Sequence, residues 1–360
     1  MKKEHILVIR FSAMGDVAMA VPVVYSVATQ YPDVRITVLS RGYARPFFED
    51  LAPNVHFMEA DVKHEYHGMK GLNALYRRLA AKQFTKVADL HNVLRSDYLR
   101  LRFNMGHYRV EHINKHRRQR RALVSSHHKV REPLSTPFQN YADVLARLGY
   151  PVKLEFRSLF PPEGGNLNLL PAIVGPKKSF EHWIGIAPTA AHPGKRYPTD
   201  RTRYIIEQLL EHHPRARVFL FGRGPVEDKL FTEWCNAFPQ CVYVSRHLEN
   251  IHQELILMSH LDVMFSMDSS NMHMASLTAT PVVSVWGATH PYAGFMGWNQ
   301  PEENAIQADL DCRPCSIYGS RPCRRGDLAC MNLIKPERII ERIEQIINPK
   351  TTENNEEVCM

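Results

Sequence analysis

The chain has 360 residues, which is long enough for two domains that each bury a core of their own. With 44% hydrophobic and 23% charged residues, its composition is typical of a globular protein and excludes a disordered or fibrous chain. No run approaches the roughly 18 consecutive apolar residues of a membrane span, and residues 1–5 lead into an apolar strand rather than a signal peptide. We therefore expect a cytoplasmic protein, and its net charge of +8 favours anionic partners.

Short apolar runs alternate with helix-compatible segments along the chain, which predicts an α/β fold with helix-covered parallel sheets. In the first half we predict strands at 6–10, 35–40 and 86–89, and helices at 16–30 and 141–148. In the second half we predict strands at 183–187, 217–221, 241–244 and 263–267, and helices at 201–212, 227–238, 251–259 and 271–279. The pattern indicates two successive doubly wound units.

A Pro/Gly-rich stretch at 161–166 separates the two units and is the best linker candidate. We expect a first domain at 1–160, a linker at 161–180, a second domain at 181–335, a closing amphipathic helix at 336–348 and a flexible polar tail at 349–360. Two domains of this kind imply a cleft between them, and such clefts commonly hold ligands.

The segment 263–279 combines a short apolar strand, an acid, two hydroxyls and a helix start. Asp268 follows the strand, and open α/β sheets bind ligands at the carboxyl ends of their strands. Ser269 and Ser270 face the start of the next helix, whose free N–H groups and dipole favour a phosphate, and His273 lies one turn further on. The alternative is a plain helix cap without a ligand, and this segment alone does not decide between the two.

The loop after the first strand contains Gly15 and Asp16. Gly15 permits close approach of the backbone, whereas Asp16 lies where a helix cap is also common. A single glycine is not the three-glycine dinucleotide fingerprint, which argues against an NAD-dependent dehydrogenase. If the two halves face each other, Asp16 and the Asp268 loop project into one cleft. One acid would then activate a nucleophile while the opposite site holds its target.

Two further loops of the second half offer groups for a charged ligand. Thr189 supplies a hydroxyl and Lys195 a compact positive charge, a pair suited to neutralising a leaving phosphate. Glu227 follows the turn after the strand at 217–221, where its carboxylate can accept hydrogen bonds from a ribose. The alternative for each is a surface loop with an incidental charge.

The basic segment, residues 112–131, holds seven Lys and Arg residues and no acid. Its arginines include Arg117, Arg118, Arg120 and Arg121. Such a block attracts nucleic acid, anionic lipid headgroups or a phosphorylated acceptor, or is simply a solvated loop. It lacks the interleaved aromatic residues that stack on bases, so we expect no nucleic-acid partner.

These segments resemble, over nearly the full chain, the bacterial ADP-heptose:lipopolysaccharide heptosyltransferases of glycosyltransferase family 9. The family motif S-x-M-G-D-V with a later proline matches Ser12, Met14, Gly15, Asp16, Val17 and Pro22. The motif of a threonine followed by K-x-W-P matches Thr189, Lys195 and Pro198, with Tyr197 in place of tryptophan. The motif D-[ST]-G-x-x-H followed by A, P and G-x-T matches Asp268, Ser269, His273, Ala275, Pro281, Gly287 and Thr289. The departures are Ser270 in place of glycine and Ala190 in place of a second hydroxyl.

The resemblance implies a GT-B fold, in which two Rossmann-like domains face a cleft, with the acceptor on the first domain and a nucleotide sugar on the second. It implies that Asp16 is the general base of an inverting transfer and that Asp268 holds the sugar. Lys195, Thr189 and the amides around Ser269 and Ser270 would hold the diphosphate, Glu227 the ribose, and His273 the Asp268 loop. Ser270 is the residue that we expect to cause any difference between the donor preferred by this protein and ADP-heptose.

On the acceptor side, the resemblance implies a lipid-linked oligosaccharide that carries acidic groups. Gly15 and the basic segment, as a mobile cationic loop with Arg117, Arg118, Arg120 and Arg121, would contact it. The enzyme would then work in the cytoplasm, in peripheral contact with the inner membrane. No cofactor and no metal ion are expected in the cleft, because cationic side chains and a helix dipole would take the place of a divalent ion.

Four cysteines form a CxxC-x7-C-x6-C cluster: Cys312, Cys315, Cys323 and Cys330. Four thiolates suit a structural zinc ion, and disulfides are not expected in a cytoplasmic chain. Similar clusters recur in the resembling family without a metal role that the motif assigns, so zinc remains an alternative.

Two functional alternatives remain open from the sequence. One is a non-catalytic protein that binds an anionic surface or nucleic acid through the basic segment on a Rossmann scaffold. The other is a GT-B glycosyltransferase that uses a different nucleotide sugar. The presence of Asp16, Lys195 and Asp268 argues against the first.

Overall fold

The computed structural model describes residues 4–349, and its first domain is built on a five-stranded sheet. The strands are β1 (His5–Ile9), β2 (Arg35–Ser40), β3 (Val55–Glu59), β4 (Lys86–Asp89) and β5 (Arg109–His112). Their order is β3-β2-β1-β4-β5, and all neighbours run parallel. Every residue of the central strand β1 is buried, as expected for a parallel strand covered by helices on both faces.

The second domain is built on a six-stranded parallel sheet. Its strands are β6 (Trp183–Ala187), β7 (Arg217–Leu220), β8 (Cys241–Tyr243), β9 (Val263–Met267), β10 (Val282–Trp286) and β11 (Ala305–Gln307). Their order is β11-β10-β9-β6-β7-β8. Two separate doubly wound sheets confirm the predicted α/β architecture.

The strand orders place the functional loops at the points where each sheet reverses its winding direction. In the first sheet this point lies between β1 and β4, and in the second between β6 and β9. Adjacent loops diverge there to opposite faces of the sheet, which leaves a crevice at the carboxyl ends of the strands. The loops after β1, β6 and β9 are the ones in which the sequence placed Asp16, Lys195 and Asp268.

Thirteen α-helices in the described residues surround the sheets. Those of the first domain are α1 (Met14–Ala18), α2 (Val21–Gln30), α3 (Arg45–Phe48), α4 (Gly68–Ala80), α5 (Leu94–Met105), α6 (Arg117–Leu123) and α7 (Pro137–Arg147). Those of the second are α8 (Thr199–His212), α9 (Pro225–Ala237), α10 (Ile251–Met258), α11 (Ser270–Leu277), α12 (Ala329–Asn332) and α13 (Pro336–Ile347). None of the helices within residues 4–349 has the length and apolar character needed to cross a membrane.

The single helix predicted at 16–30 is wrong, because the chain forms α1 and α2 with a break at residues 19–20. Pro22 lies in the first turn of α2. Proline has no N–H for the carbonyl four residues earlier, and its ring clashes with that carbonyl in a continuous helix. Asp16 lies in α1, seven residues after the end of β1.

Residues 156–160 already lie between the two domains, before the predicted linker. The Leu159 N–H donates to the Leu277 carbonyl at 2.8 Å, and the Trp298 Nε1–H donates to the Phe156 carbonyl at 3.0 Å. We therefore propose that the connection between the domains begins a few residues before 161. The predicted closing helix is present as α13 and packs on the second domain, where Glu344 pairs with His213 at 2.8 Å. Of the tail predicted at 349–360, residues 350–360 lie outside the described residues.

Candidate active site

The loops at the two reversal points line one cleft between the domains. The cleft measures about 1470 Å³, counting the space that is open to solvent. Nine residues predicted for the site line it: Gly15, Asp16, Thr189, Lys195, Glu227, Asp268, Ser269, Ser270 and His273. Groups that are up to about 250 residues apart in the sequence therefore share one cavity, because each follows a strand that ends at the cleft.

Asp16 lies in α1 on the first-domain side of the cleft. Its Oδ2 forms an ion pair with Nη2 of Arg10 at 2.7 Å and accepts a hydrogen bond from the Ala13 N–H at 3.2 Å. The Ala13 contact is a capping contact, so the alternative interpretation as a helix cap is partly realised. A cap does not require the second contact, in which a buried guanidinium binds the same carboxylate oxygen. The side chain keeps 26% of its surface exposed, which leaves the carboxylate accessible from the cleft.

Arg10, which was not predicted from the sequence, positions Asp16. The guanidinium is buried, and its Nη1 donates to the Leu90 carbonyl at 2.6 Å. Tyr141 lies against the same group and donates its hydroxyl to the Asp16 carbonyl at 3.2 Å. The only signal in the sequence is an arginine directly after a buried apolar strand. Because Arg10 is held by the protein on two sides, it fixes the orientation of the Asp16 carboxylate.

Gly15 and His273 bring the two domains into contact at the centre of the cleft. A Cβ added to Gly15 would come within 2.6 Å of Cδ2 of His273. Burial, assisted by the charge of Lys195, lowers the pKa of His273 to about 4, so the ring is neutral near pH 7. Its buried Nδ1 has no hydrogen-bond partner among the described residues. Glycine is thus required at position 15 by the close approach of a neutral imidazole.

Replacing Gly15 with alanine is expected to destabilise the protein by about 1–3 kcal/mol, because the new methyl overlaps the His273 ring. Transfer activity should fall together with stability, because the contact between Gly15 and His273 sets the spacing of α1 and α11. Thermal unfolding and a transfer assay measure the two effects. Adding His273→Ala should restore stability but not activity. If Gly15→Ala leaves both unchanged, α1 and α11 are not in contact in solution.

Lys195 and Asp268 form a largely buried ion pair on the second-domain side. Lys195 Nζ lies 2.8 Å from Asp268 Oδ2, and the two side chains are only 16% and 5% exposed. The loop that carries Lys195 is held by a hydrogen bond of 2.8 Å from the Ala288 N–H to the Gly194 carbonyl. This ammonium group is therefore fixed at the reversal point of the second sheet, and Thr189 lines the same cleft.

The first turn of α11 is open to a ligand. Ser269 is the N-cap residue, but its side chain makes no capping hydrogen bond; its Oγ lies 3.2 Å from the Ser266 Oγ instead. The plain helix cap considered from the sequence is therefore not formed. An uncapped helix start presents backbone N–H groups and the positive end of the helix dipole, which together favour an anion. Ser270, the first residue of α11, also lines the cleft.

Glu227 folds back over the turn that precedes α9. Gly222 and Gly224 have φ values of 157° and 137°, and the Glu227 side chain covers both of them. A Cβ on Gly224 would lie 2.8 Å from Glu227 Oε2. The two glycines thus allow the carboxylate to lie over the turn at the edge of the cleft, within reach of a hydroxyl-bearing ligand.

The basic segment is not a mobile loop, which corrects the expectation from the sequence. Residues 117–123 form α6, and the following residues bind the second domain. Lys129 Nζ lies 2.8–3.1 Å from four backbone carbonyl oxygens of residues 311–314, and Arg131 Nη2 donates to the Asp311 carbonyl at 2.7 Å. Carbonyls that lack partners within their own turn attract these cations, so the segment ties the two domains together.

None of the four arginines predicted on the acceptor side is among the residues that line the cleft, but Arg120 contacts one that is. Its Nη1 donates to the Tyr318 hydroxyl at 2.7 Å, and Tyr318 lines the cavity. Arg117 and Arg118 line two other surface depressions, and Arg121 is exposed. The helical geometry of α6 explains this, because consecutive residues point in different directions around a helix.

Several residues that line the cleft were not predicted from the sequence. They are Met14, His192, Arg196, Arg223, Asn271, Phe295 and Tyr318, among others. Arg196 occupies the unspecified x position of the K-x-W-P-like motif, so the motif carried no signal for it. Phe295 and Tyr318 come from irregular segments whose position depends on the packing of the whole second domain.

The four clustered cysteines line a second cavity of about 740 Å³, next to the basic segment. Cys312 is exposed and Cys330 is buried. Burial raises the pKa of the Cys330 thiol to about 11, which disfavours the thiolate that binds metals. No three His, Cys, Asp or Glu side chains within residues 4–349 are arranged to hold a metal ion. The geometry therefore does not support the zinc alternative.

The chain is similar to known proteins over most of its length. Residues 72–322 match the model of glycosyltransferase family 9 (heptosyltransferase). Lipooligosaccharide heptosyltransferase 2 of Campylobacter jejuni, serotype O:2, is 20% identical over 93% of this chain and 95% of its own. The protein of the same name from serotype O:6 is 23% identical over 48% of this chain, and the match spans about half (54%) of that relative. The solved structure of E. coli ADP-heptose lps heptosyltransferase II superposes with a TM-score of 0.67 at 20% identity, covering 95% of this chain and 98% of that one.

Two Rossmann-like domains that face a cleft make up the GT-B fold, which the solved heptosyltransferase structure shares. The matched family model covers most of the chain. The protein belongs to glycosyltransferase family 9, the heptosyltransferase family.

Proposed function

We propose that the enzyme transfers heptose, or a closely related sugar, from an ADP-sugar to a lipopolysaccharide or lipooligosaccharide core acceptor. We further propose that the reaction inverts the anomeric carbon and needs no metal ion. The names of the relatives support the donor and acceptor classes. The observation that carries the proposal is the position of Asp16 across one cleft from Lys195 and the open start of α11.

On the donor side, Lys195, Thr189 and the first amides of α11 would bind the diphosphate. Their positive charge and N–H groups stabilise the negative charge that builds on the leaving group. Glu227 would accept hydrogen bonds from the ribose. Asp268, held by Lys195 at 2.8 Å, would bind hydroxyls of the transferred sugar, while His273 supports the loop.

On the acceptor side, Asp16 would act as the general base. The acceptor hydroxyl oxygen bonds to the anomeric carbon as the bond from that carbon to the diphosphate oxygen breaks, and the hydroxyl proton passes to the Asp16 carboxylate. Inversion follows because the attacking oxygen and the leaving diphosphate lie on opposite sides of the carbon. Arg10 would hold the carboxylate in line for this transfer.

The acceptor proposed here carries acidic groups on a lipid anchor. Arg120 at the cleft edge would bind such a group, with Arg117, Arg118 and Arg121 contributing long-range attraction from the exposed side of α6. We place the enzyme in the cytoplasm, at the inner face of the membrane that holds this acceptor.

Screening purified protein against ADP-, GDP- and UDP-sugars by thermal unfolding tests the donor class. ADP-heptose should raise the melting temperature the most, because a ligand bound only to the folded state stabilises it. Ser270, which replaces the glycine of the family motif at the open helix start, would be the origin of a preference for a different ADP-sugar. No shift with any nucleotide sugar, together with salt-sensitive duplex binding, would instead support the non-catalytic alternative.

A further inference from the structure

The outward face of α5 is apolar, although it points to solvent. Leu94, Leu101 and Met105 are 88%, 57% and 68% exposed. Their spacings of seven and four residues place them on one face of the helix. The opposite face buries Leu99 and Phe103 in the first-domain core. A surface helix normally turns polar residues outward, so α5 carries an apolar stripe that nothing in residues 4–349 covers.

The neighbouring helix α4 extends this surface. It packs beside α5, where Arg102 Nη1 donates to Asn73 Oδ1 at 2.6 Å and the rings of Tyr76 and Phe103 lie 5.2 Å apart. At its amino-terminal end, α4 exposes 71% of Met69. We call the surface formed by Met69, Leu94, Leu101 and Met105 the α4–α5 face.

The charges carried by α4 and α5 are almost all positive. The cations of the two helices are Lys70, Arg77, Arg78, Arg95, Arg100 and Arg102. Their one acid, Asp97, is paired with Arg100 at 3.0 Å. An apolar stripe bordered by cations matches an anionic bilayer, in which apolar side chains enter the acyl boundary and arginines stay at the phosphates. In a two-fold dimer through this face, the like charges of the two copies would meet, which disfavours a second copy as the occupant.

The position of the α4–α5 face relates it to the acceptor side of the cleft. Asn92 lies in the loop that follows β4, and helix α5 begins two residues later. In that loop His91 Nε2 lies 3.4 Å from Ser12 Oγ, and Ser12 is in the loop that carries Asp16. The amino-terminal end of the stripe therefore lies at the same sheet edge as Asp16.

We propose that the α4–α5 face docks the enzyme on an anionic lipid surface. The face is defined by residues outside the cleft, while its link to a lipid-carried acceptor rests on the function proposed above. Docking through it would bring the first-domain side of the cleft towards the bilayer. A lipid-linked hydroxyl would then reach Asp16 without leaving the membrane.

Vesicle flotation with the full chain tests the proposal. The protein should float with phosphatidylcholine vesicles that contain phosphatidylglycerol, bind far less to phosphatidylcholine alone, and detach as salt is added. The triple variant Leu94→Gln, Leu101→Gln, Met105→Gln should bind at least about tenfold less, because each buried apolar side chain contributes to partitioning. The control Leu333→Gln removes a leucine that is 61% exposed on the second domain and should bind like the parent protein.

Transfer assays distinguish the docking proposal from the proposed catalytic role of Asp16. The triple variant should retain its melting temperature and its transfer to a delipidated acceptor, but lose transfer to an acceptor in vesicles. Asp16→Asn should do the reverse, keeping vesicle binding and losing transfer. Absence of binding to anionic vesicles, or equal binding by the triple variant, overturns the proposal. A dimer that the triple variant abolishes, seen in sedimentation without vesicle binding, would assign the face to a second copy and equally overturn it.

Discussion

Replacing Asp16 with asparagine is expected to lower the turnover number by about 10²–10⁴-fold, the range typical for loss of a general base. Asparagine keeps the shape of the side chain and an oxygen that accepts from Arg10, but it cannot take the acceptor proton. Binding of the nucleotide sugar should persist, because the donor groups lie on the other domain. Steady-state transfer kinetics and thermal shift with the donor measure these two effects.

The control for this variant is Asp97→Asn. Asp97 also lies on the first domain and pairs with an arginine, Arg100, at 3.0 Å, but outside the cleft. It should keep normal transfer to a soluble acceptor. Near-normal turnover of Asp16→Asn would exclude Asp16 as the base, and loss of donor binding together with folding would show that the Arg10 pair is mainly structural.

Replacing Lys195 with glutamine is expected to lower kcat/KM for the donor by about 10²–10³-fold, as removal of one group that stabilises a developing anion does in other enzymes. Stability should fall as well. Asp268 is 5% exposed, and breaking a buried ion pair from one side typically costs about 3–5 kcal/mol. Glutamine can donate to Asp268 and should offset part of that loss. Transfer kinetics and chemical denaturation measure the two quantities.

Two further variants separate charge from folding at this site. Lys177→Gln removes a lysine from a second ion pair of the same domain, Lys177–Asp262 at 2.6 Å, and should leave transfer unchanged. Lys195→Gln combined with Asp268→Asn should regain stability but not activity. If the double variant were active, the positive charge of Lys195 would not be needed for diphosphate departure.

The loops of the site were predictable because each follows a strand that is itself clear in the sequence. The runs 6–9, 183–187 and 263–267 are short, mostly apolar and fully buried, as is typical of strands covered on both faces. The residues immediately after them could therefore be assigned to the carboxyl edge of a sheet. By contrast, β5 (Arg109–His112) is a polar strand at the edge of its sheet, and its exposed residues show no such pattern.

Arg10 and the basic segment show what local sequence does not contain. The partner of Asp16 lies six residues earlier, and its role depends on Leu90 and Tyr141, which only the folded domain brings near. In the basic segment, the count of positive charges was clear, but not the direction of each side chain. Lys129 and Arg131 bind carbonyls about 180 residues away, so they serve the domain contact rather than a mobile loop.

The sequence by itself determined the α/β class, the two doubly wound units and nine of the residues that line the cleft, because buried strands and strand-end loops are encoded locally. Tertiary structure decided which groups pair: Arg10 with Asp16, Lys195 with Asp268, and Gly15 with His273. It also decided that α5 faces solvent with Leu94, Leu101 and Met105. Apolar residues at helical spacing look the same in the sequence whether they face the core or the solvent. Only the packing of α4 and α5 on the first sheet therefore shows which face is exposed to solvent.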